Sequence, residues 1–380
     1  MSEFDEEMMR QAMGLAMQGR GTTEPNPSVG CVIVQDGRVI GEGHTQPYGG
    51  AHAEPTALGN CTESPAGATA YVTLEPCCHS NKKTPPCVPA MIGAGIKRVV
   101  VGCLDPNPEV NGKGAAMLRE AGVEVGELVL EAECKQLIAP FMARVKLGRP
   151  YVTLKWAESA DGKIAGPGGI PIRISNDLSW RAVHELRTRC DAILVGSGTA
   201  IVDNPKLTPR GVEMIRRPIR VVLDSRLRML PTSILVTTAQ EYPTVIFANR
   251  NQASSPAADE FRKHGAEVIG AGEEGQPICL KEVLAELAKR NVTHLLVEAG
   301  PGIAKGFFEA GLADRVWIFQ SETVVGDATA PAAAVLPKEF ANVGECRLGD
   351  NVLSEYLNSR SEVFFAGVES ADLVRVKRGL

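Results

Sequence analysis

A chain of 380 residues is too long for one ordinary core, and two domains are expected. Hydrophobic residues make up 44% and charged residues 22%, the profile of a soluble globular protein, and a net charge of -5 gives no support for nucleic-acid binding. No apolar run reaches the length of a membrane span, and the acidic N-terminus has neither the positive start nor the apolar core of a secretory signal, so a cytoplasmic location is expected.

The chain opens with a helical pattern over residues 5–18, ended near Gly19 and Gly21. Residues 29–34 and 38–43 read as two strands joined by a tight Asp36-Gly37 turn. A short helix is expected from about His52, a strand over 70–74, and a helix over 88–94 entered through Pro85-Pro86. A strand at 98–102 and helices at 114–121 and 131–145 follow, the last with a kink at Pro140. This alternation predicts an α/β/α sandwich, and the opening hairpin makes its sheet mixed. The break Leu147-Gly148-Arg149-Pro150 marks the boundary, giving domains 1–147 and 148–380.

Beyond the break the alternation restarts. Strands are expected at 151–155, 192–196, 219–223, 233–237, 245–248, 295–298 and 315–319. Helices are expected at 178–187, 257–264 and 280–290, and from the Gly300-Pro-Gly302 turn to Ala310. This is a second α/β domain with its own core.

The sequence holds ten cysteines. Without an export signal they read as buried thiols plus a few ligands, and Cys31, Cys103, Cys190 and Cys279 sit in apolar stretches as small hydrophobes. His52-Ala-Glu54 followed by Pro76-Cys-Cys-His-Ser-Asn-Lys-Lys-Thr-Pro-Pro-Cys87 is different. A catalytic zinc takes three protein ligands and keeps one position for water, and His52, Cys77 and Cys87 supply one imidazole and two thiolates. The metal lowers the pKa of bound water, and Glu54 can move protons without ligating it. That combination is the pattern of zinc nucleobase deaminases. Both halves of the motif are expected to open helices, whose N-termini favour thiolate over thiol. The generic pattern has two residues between its cysteines, whereas here 78–86 intervene. Cys77 follows a proline as the pattern requires, and Cys78 stands beside it as a rival. A closed structural site with His79 as fourth ligand is the competing reading, but it gives Glu54 nothing to do.

In the second half, Gly196-Ser-Gly198 and Gly300-Pro-Gly302 stand where strands should end. Such glycines let a backbone approach a phosphate, although Gly-Pro-Gly is more often a plain turn. Lys155, Asp161, Asp203 and Glu298 lie beside strand ends, where charges are usually just solvated.

Taken together, these residues resemble the bifunctional riboflavin-biosynthesis deaminase–reductase family. The matching stretches are Pro25-Asn-Pro-Ser-Val-Gly-Cys-Val-Ile-Val34, His52-Ala-Glu54, Tyr71-Val-Thr-Leu-Glu-Pro-Cys77, Thr84-Pro-Pro-Cys87 and Asp105-Pro-Asn-Pro108. They continue in Ala160-Asp-Gly-Lys163, the run from Thr199 to Arg210, Val222-Leu-Asp-Ser225 and Val297-Glu-Ala-Gly-Pro301. The resemblance implies a cytidine-deaminase-like first domain that removes the 2-amino group of 2,5-diamino-6-ribosylamino-4(3H)-pyrimidinone 5′-phosphate. It implies a dihydrofolate-reductase-like second domain that reduces the ribose to ribityl with NADPH. Zinc and NADPH are the implied cofactors, a small phosphorylated pyrimidine the implied partner, and a homo-oligomer the implied assembly, with no role for nucleic acid or membrane.

Carried over by position, His52, Cys77 and Cys87 match the zinc ligands, Glu54 the proton donor and acceptor, and Asn26 a pyrimidine contact. Glu158, Arg173, Thr199, Asp203, Ser225, Gly300, Pro301, Gly302 and Gly306 match cofactor-contacting positions. Pro171, Arg187, Leu207, Arg210 and Glu298 match positions facing the reductase substrate. The chain departs from the family in Gly169-Ile-Pro-Ile-Arg-Ile-Ser175: Pro171 replaces a substrate-contacting serine, and Arg173 replaces a cofactor-contacting tryptophan. Proline has no hydroxyl and arginine exchanges an aromatic plane for a charge, so an altered reductase pocket is expected. Two alternatives remain open from sequence: a nucleic-acid base deaminase with an accessory domain, and a deaminase joined to a non-catalytic nucleotide-binding domain.

Overall fold

Ser2 caps helix α1 (Glu3–Gly19) in the computed structural model, which describes residues 2–79, 84–126, 128–377 and 379. The Ser2 hydroxyl accepts from the Asp5 amide at 3.1 Å, and the Asp5 carboxylate accepts from the Ser2 amide at 3.4 Å. This reciprocal cap satisfies amides that a helix start leaves unpaired. Met8, Met9, Ala12 and Ala16 form the buried stripe of α1. The stripe lies on strand β1 (Gly30–Gln35), where a Cβ on Gly30 would stand 1.8 Å from the Ala12 carbonyl oxygen.

The chain forms two compact units: Met1–Leu147 with Phe365–Ala371, and Gly148–Phe364 with Asp372–Leu380. In the first, β1 pairs antiparallel with β2 (Arg38–His44) through the Asp36-Gly37 turn, whose residues have φ of 50° and 73°. Positive φ at both positions matches the turn to the strand twist. On its other side β1 pairs antiparallel with β3 (Thr69–Leu74), which runs parallel to β4 (Arg98–Cys103) and then β5 (Glu124–Val125). The sheet order is β2-β1-β3-β4-β5, mixed as the hairpin required.

Helices α2 (Ala53–Gly59), α3 (Cys87–Gly93) and α4 (Lys113–Glu120) follow the expected segments. The helix expected over 131–145 is instead two, α5 (Glu131–Leu137) and α6 (Ala139–Leu147), meeting at Ile138. Pro140 in the first turn of α6 has no amide to continue the preceding ladder.

Among the described residues the second unit carries nine strands: β6 (Tyr151–Glu158), β7 (Ala192–Gly196), β8 (Ile219–Leu223), β9 (Thr244–Ala248), β10 (Glu267–Gly270), β11 (His294–Glu298), β12 (Arg315–Ser321), β13 (Phe340–Leu348) and β14 (Asn351–Asn358). Their order is β10-β9-β8-β7-β11-β6-β12-β14-β13, parallel up to β12 and antiparallel in the last two pairings. Helices are α7 (Asp177–Arg187), α8 (Ser197–Asp203), α9 (Ile234–Thr237), α10 (Arg250–Ala253), α11 (Pro256–Lys263), α12 (Leu280–Lys289), α13 (Pro301–Glu309) and α14 (Ala371–Lys377). On β7, Ile193 and Val195 join one core while Ala192 and Leu194 join the other. Both faces of the parallel sheet are therefore covered, which is why its strands read as continuous apolar runs.

One expected strand is wrong. Residues 233–237 form the turn of α9, with the Val236 and Thr237 amides donating to the Ser233 carbonyl at 3.0 and 2.9 Å. Its β-branched composition suggested a strand, but burial of Leu235 and Val236 on one side selects the helix. β10, β13, β14 and α8 were not expected. β13 alternates exposed polar residues at a sheet edge, so its sequence carries little apolar signal.

In the first unit the Asp5 carboxylate, 6% exposed, binds Arg98 Nη1 at 2.9 Å and Nη2 at 3.2 Å and accepts from the Tyr71 hydroxyl at 2.8 Å. The Arg98 hydrogen bonds hold its acidity well below the usual carboxylate range, against the opposing effect of burial. The folded-state value is lowered, so the stabilisation is complete above the unfolded value of about 4 and is lost as pH falls below it. Asp5→Asn is expected to destabilise this unit by about 1–3 kcal/mol at pH 7. Hydrogen exchange of α1 and β4 amides measures the loss, and the gap from the parent chain should shrink at pH 3; an equal gap at both values would count against it.

Candidate active sites

His52 is the residue before the first turn of α2, with extended backbone, and Cys87 is the first residue of α3 behind Pro86. Cys77 follows the end of β3 and is joined to α3 by its carbonyl, which accepts from the Cys87 and Val88 amides at 3.0 and 3.2 Å. Three distant segments thus converge. His52 Nδ1 lies 3.5 Å from both Cys77 Sγ and Cys87 Sγ, and the two sulfurs are 3.3 Å apart. Among the described residues this is the one group of metal-binding side chains whose donor atoms all lie within 4.8 Å of one another. Cys78 is outside it, its thiol directed at the Glu109 carbonyl at 3.9 Å. His79 is also outside, with Nδ1 3.8 Å from Glu109 Oε2.

Close packing fixes these positions. A Cβ on Gly41 would stand 2.6 Å from the Ala57 carbonyl oxygen, and one on Gly43 2.4 Å from the Ala57 amide, so bare backbone lets α2 settle on β2. Behind Cys77, the buried Glu75 carboxylate accepts from the amides of Asp105, Gly112 and Ala115 at 3.3, 2.8 and 3.0 Å. Gly114 then meets the Pro76 carbonyl so closely that a Cβ would sit 2.1 Å away.

His52 and Cys77 border a cavity of about 320 Å³ that also reaches Asn26, Tyr48, Glu54, Thr84 and Asn107. Glu54 is 4% exposed; burial and the Cys77 thiolate raise its pKa to about 7, against smaller opposing effects from its backbone amide, His52 and Cys87. A carboxyl of that acidity can both take and give a proton near neutral pH. Thr84 Oγ1 lies 3.1 Å from His52 Nε2. With Nε2 protonated and bonded there, the Nδ1 lone pair faces the thiols.

In the second unit a cavity of about 440 Å³ opens at the C-terminal ends of β6 and β11 and is lined by Pro171, Arg173, Thr199, Asp203, Glu298 and Gly300. Arg187 grips Glu298 with Nε at 2.6 Å and Nη2 at 2.8 Å, and its Nη1 donates to the Thr208 carbonyl at 3.1 Å. Burial alone would raise the pKa of Glu298, but the Arg187 charge and hydrogen bonds outweigh it and hold it low. Lys155, a strand-end lysine with no role assigned from sequence, lines the same cavity, and burial lowers its pKa. His184 was not anticipated. Burial and then the Arg187 and Arg210 charges push it down to about 3, leaving a neutral ring whose Nδ1 accepts from the Arg210 amide at 2.8 Å. Its only sequence signal is its place one turn before Arg187 on α7.

Several matched positions stand off this cavity. Glu158 accepts from the Trp156 indole at 2.8 Å, and Ser225 lies beyond the end of β8 with its carbonyl bonded to the Asn249 amide. Leu207 is 1% exposed and packs in the core with φ of 49°. Arg210 is exposed. Pro301 and Gly302 form the first turn of α13 behind Gly300, and Gly306 faces Leu280. Arg173, by contrast, lines the cavity and pairs with Asp177. Asp161 is structural: it accepts from the Val325 and Gly326 amides at 3.0 and 2.9 Å.

No helix of the described residues is long and apolar enough to cross a membrane. Residues 2–103 match the cytidine and deoxycytidylate deaminase zinc-binding region, and residues 150–344 match the RibD C-terminal domain. The chain is 40% identical over 325 residues to the riboflavin biosynthesis protein RibD of Aquifex aeolicus, covering 86% of this chain and 89% of the relative. It is 38% identical to the RibD of Escherichia coli, covering 85% and 89%. A crystal structure of the Thermotoga maritima diaminohydroxyphosphoribosylaminopyrimidine deaminase/5-amino-6-(5-phosphoribosylamino)uracil reductase aligns with a TM-score of 0.81 at 36% identity, covering 93% of this chain and 99% of that one. With a deaminase domain and a reductase domain in one polypeptide, both matched along most of their length, this chain belongs to the bifunctional RibD family of riboflavin biosynthesis.

Proposed function

We propose that the chain carries out two successive steps on one small molecule, 2,5-diamino-6-ribosylamino-4(3H)-pyrimidinone 5′-phosphate. The first unit hydrolyses the 2-amino group, and the second reduces the ribose to ribityl with NADPH. The observation that supports this reading is the triangle of His52, Cys77 and Cys87 donors beside a buried proton carrier, Glu54, on an open cavity.

The donor set suits zinc. Tetrahedral zinc with one nitrogen and two sulfur ligands sets its donors about 3.5–3.8 Å apart. The observed separations of 3.3–3.5 Å need only a slight opening. Bound zinc supplies a Lewis acid that makes water reactive near neutral pH. Glu54 takes the proton lost by the attacking water and returns protons to the ring nitrogen and the departing ammonia. Thr84 keeps the His52 ring in register, and Asn26 offers its amide to the pyrimidine across the cavity. In the second unit NADPH supplies the hydride. Thr199, Asp203 and Gly300 wall its cavity, while Arg187 fixes the Glu298 carboxylate facing the substrate.

Glu54→Gln is expected to reduce ammonia release by about 10²–10⁴-fold while the zinc content is unchanged. Ammonia release at the parent rate would sink the proton-carrier role. Cys77→Ser should strip the metal during dialysis, whereas Cys78→Ser should keep it, as read by elemental analysis of the purified protein; the reverse pattern would transfer the ligand role to Cys78. Mixing the parent chain with the diamino pyrimidine and NADPH should yield ammonia and then NADPH oxidation. Ammonia without NADPH oxidation would leave the second unit a nucleotide-binding domain, with Pro171 and Arg173 the first residues to revert.

A further inference from the structure

The segment 204–211 has no regular secondary structure, yet it is tied down along its length. Asn204 Oδ1 accepts from the Ile234 amide at 2.8 Å, and the Lys206 carbonyl accepts from Arg220 Nη1 at 3.2 Å. Leu207 is sunk in the core, and the Thr208 carbonyl is held by the same Arg187 that grips Glu298. The last tie runs to α7, where His184 Nδ1 accepts from the Arg210 amide at 2.8 Å. Because Nδ1 accepts, the neutral ring carries its proton on Nε2.

His184 is covered in turn. The Trp180 indole, one turn earlier on α7, lies over the imidazole with ring centroids 3.9 Å apart and planes at 31°. The edge of the indole reaches Gly211, where a Cβ would stand 2.9 Å from two ring carbons and where φ is 66°. Only glycine suits both the conformation and the space. Trp180 itself is exposed, so it forms a roof between solvent and the hydrogen bond from Arg210 to His184. Shielding from water strengthens such a bond.

The residue that this loop presents is Arg210. Its side chain is exposed, and among the described residues its guanidinium has no hydrogen-bond or carboxylate partner. Other arginines of this unit are neutralised, Arg216 by Asp191 and Arg290 by Glu267. The charges that act on His184 are those of Arg187, Arg210, Glu298 and Lys155, three positive and one negative. That surplus suits a phosphorylated substrate, whose phosphate accepts charge-assisted hydrogen bonds. A guanidinium on a loose loop would lose much of the gain to ordering, whereas a loop already fixed loses little.

We propose that His184, with Trp180 stacked on it, is a positioning residue of the second unit: it fixes the Arg210 backbone so that the guanidinium meets the phosphorylated substrate. This rests on the reductase reading above and adds to it two side chains that act through Arg210.

The full-length zinc-loaded chain is assayed with the deaminated pyrimidine and NADPH, each varied in turn. His184→Phe keeps a ring beneath Trp180 but removes the acceptor, and it is expected to raise the KM for the pyrimidine by about three- to tenfold. His184→Asn, whose amide oxygen can stand near the Nδ1 position, should recover most of that loss. Trp180→Leu should raise the same KM by about threefold. In each variant the KM for NADPH should stay at the parent value, which shows that the second unit is folded, and kcat should change far less than the pyrimidine KM. Arg210→Gln should raise the pyrimidine KM by about tenfold, and adding His184→Phe to it should raise it little further. Losses that multiply in the double variant, or equal losses in both KM values, would overturn the proposal. If the parent chain oxidises no NADPH, the reductase reading fails, and the role of His184 is then read from ribose 5-phosphate binding by calorimetry. Parallel weakening in His184→Phe and Arg210→Gln would support it at a phosphate site, and parent-like binding in either variant would remove it.

Discussion

The first unit is organised by one requirement: three donor atoms must meet at a point although their residues are as far as 35 positions apart in sequence. Imidazole and two thiols do not attract one another enough to bring segments together, so the scaffold must place them. It does so with close backbone approaches. Bare glycines at 30, 41 and 43 let α1 and α2 lie against the sheet at distances no side chain would allow. Glu75 ties the segment before Cys77 to the end of β4 and the start of α4, accepting from the amides of Asp105, Gly112 and Ala115. Each anchor is a satisfied polar group or a tight contact, and such features resist displacement because a half-satisfied buried group is costly.

The second unit solves a different problem with an ion pair. Glu298 sits at the end of a strand buried on both faces, where an isolated carboxylate would be neutral. Arg187 keeps it charged through two hydrogen bonds, and burial together with the same guanidinium charge keeps His184 neutral. Breaking such a pair by removing one partner costs about 3–5 kcal/mol, mostly the stranded charge. The pair is therefore both a structural pin between α7 and β11 and the source of the cavity's electrostatics.

Much of this was legible in the sequence because each signal had a local physical cause. The Asp36-Gly37 turn and the proline before Cys77 both act within a few residues. The separation of Cys77 from Cys78 was only a preference until the fold turned one thiol toward His52 and the other toward Glu109. The misread segment at 233–237 shows the opposite limit: four residues with strand-like composition form a helical turn because of what they pack against. His184 was invisible for a similar reason, since its lowered pKa arises from burial, and then from the charges of Arg187 and Arg210, which act on it only in the fold. The edge strand β13 was missed because its exposed positions are largely polar, and on its neighbour β14 the polar residues Ser354 and Glu355 interrupt the apolar signal, the buried Glu355 being accommodated by the Trp317 indole at 2.8 Å.

The departures from the family pattern fall in one place, and that bears on how the reductase pocket works. Pro171 and Arg173 both lie on the loop over the cavity, while the opposite wall, built from Thr199, Asp203 and Gly300, keeps the matched residues. Arg173 is tethered to Asp177 at the start of α7, the helix that ends in Arg187. Both side chains are largely exposed, so the pair is weak and leaves the guanidinium available at the cavity wall. The altered loop therefore changes the charge and shape of one part of the cavity lining, while the Arg187–Glu298 pair keeps the carboxylate at the end of β11 fixed.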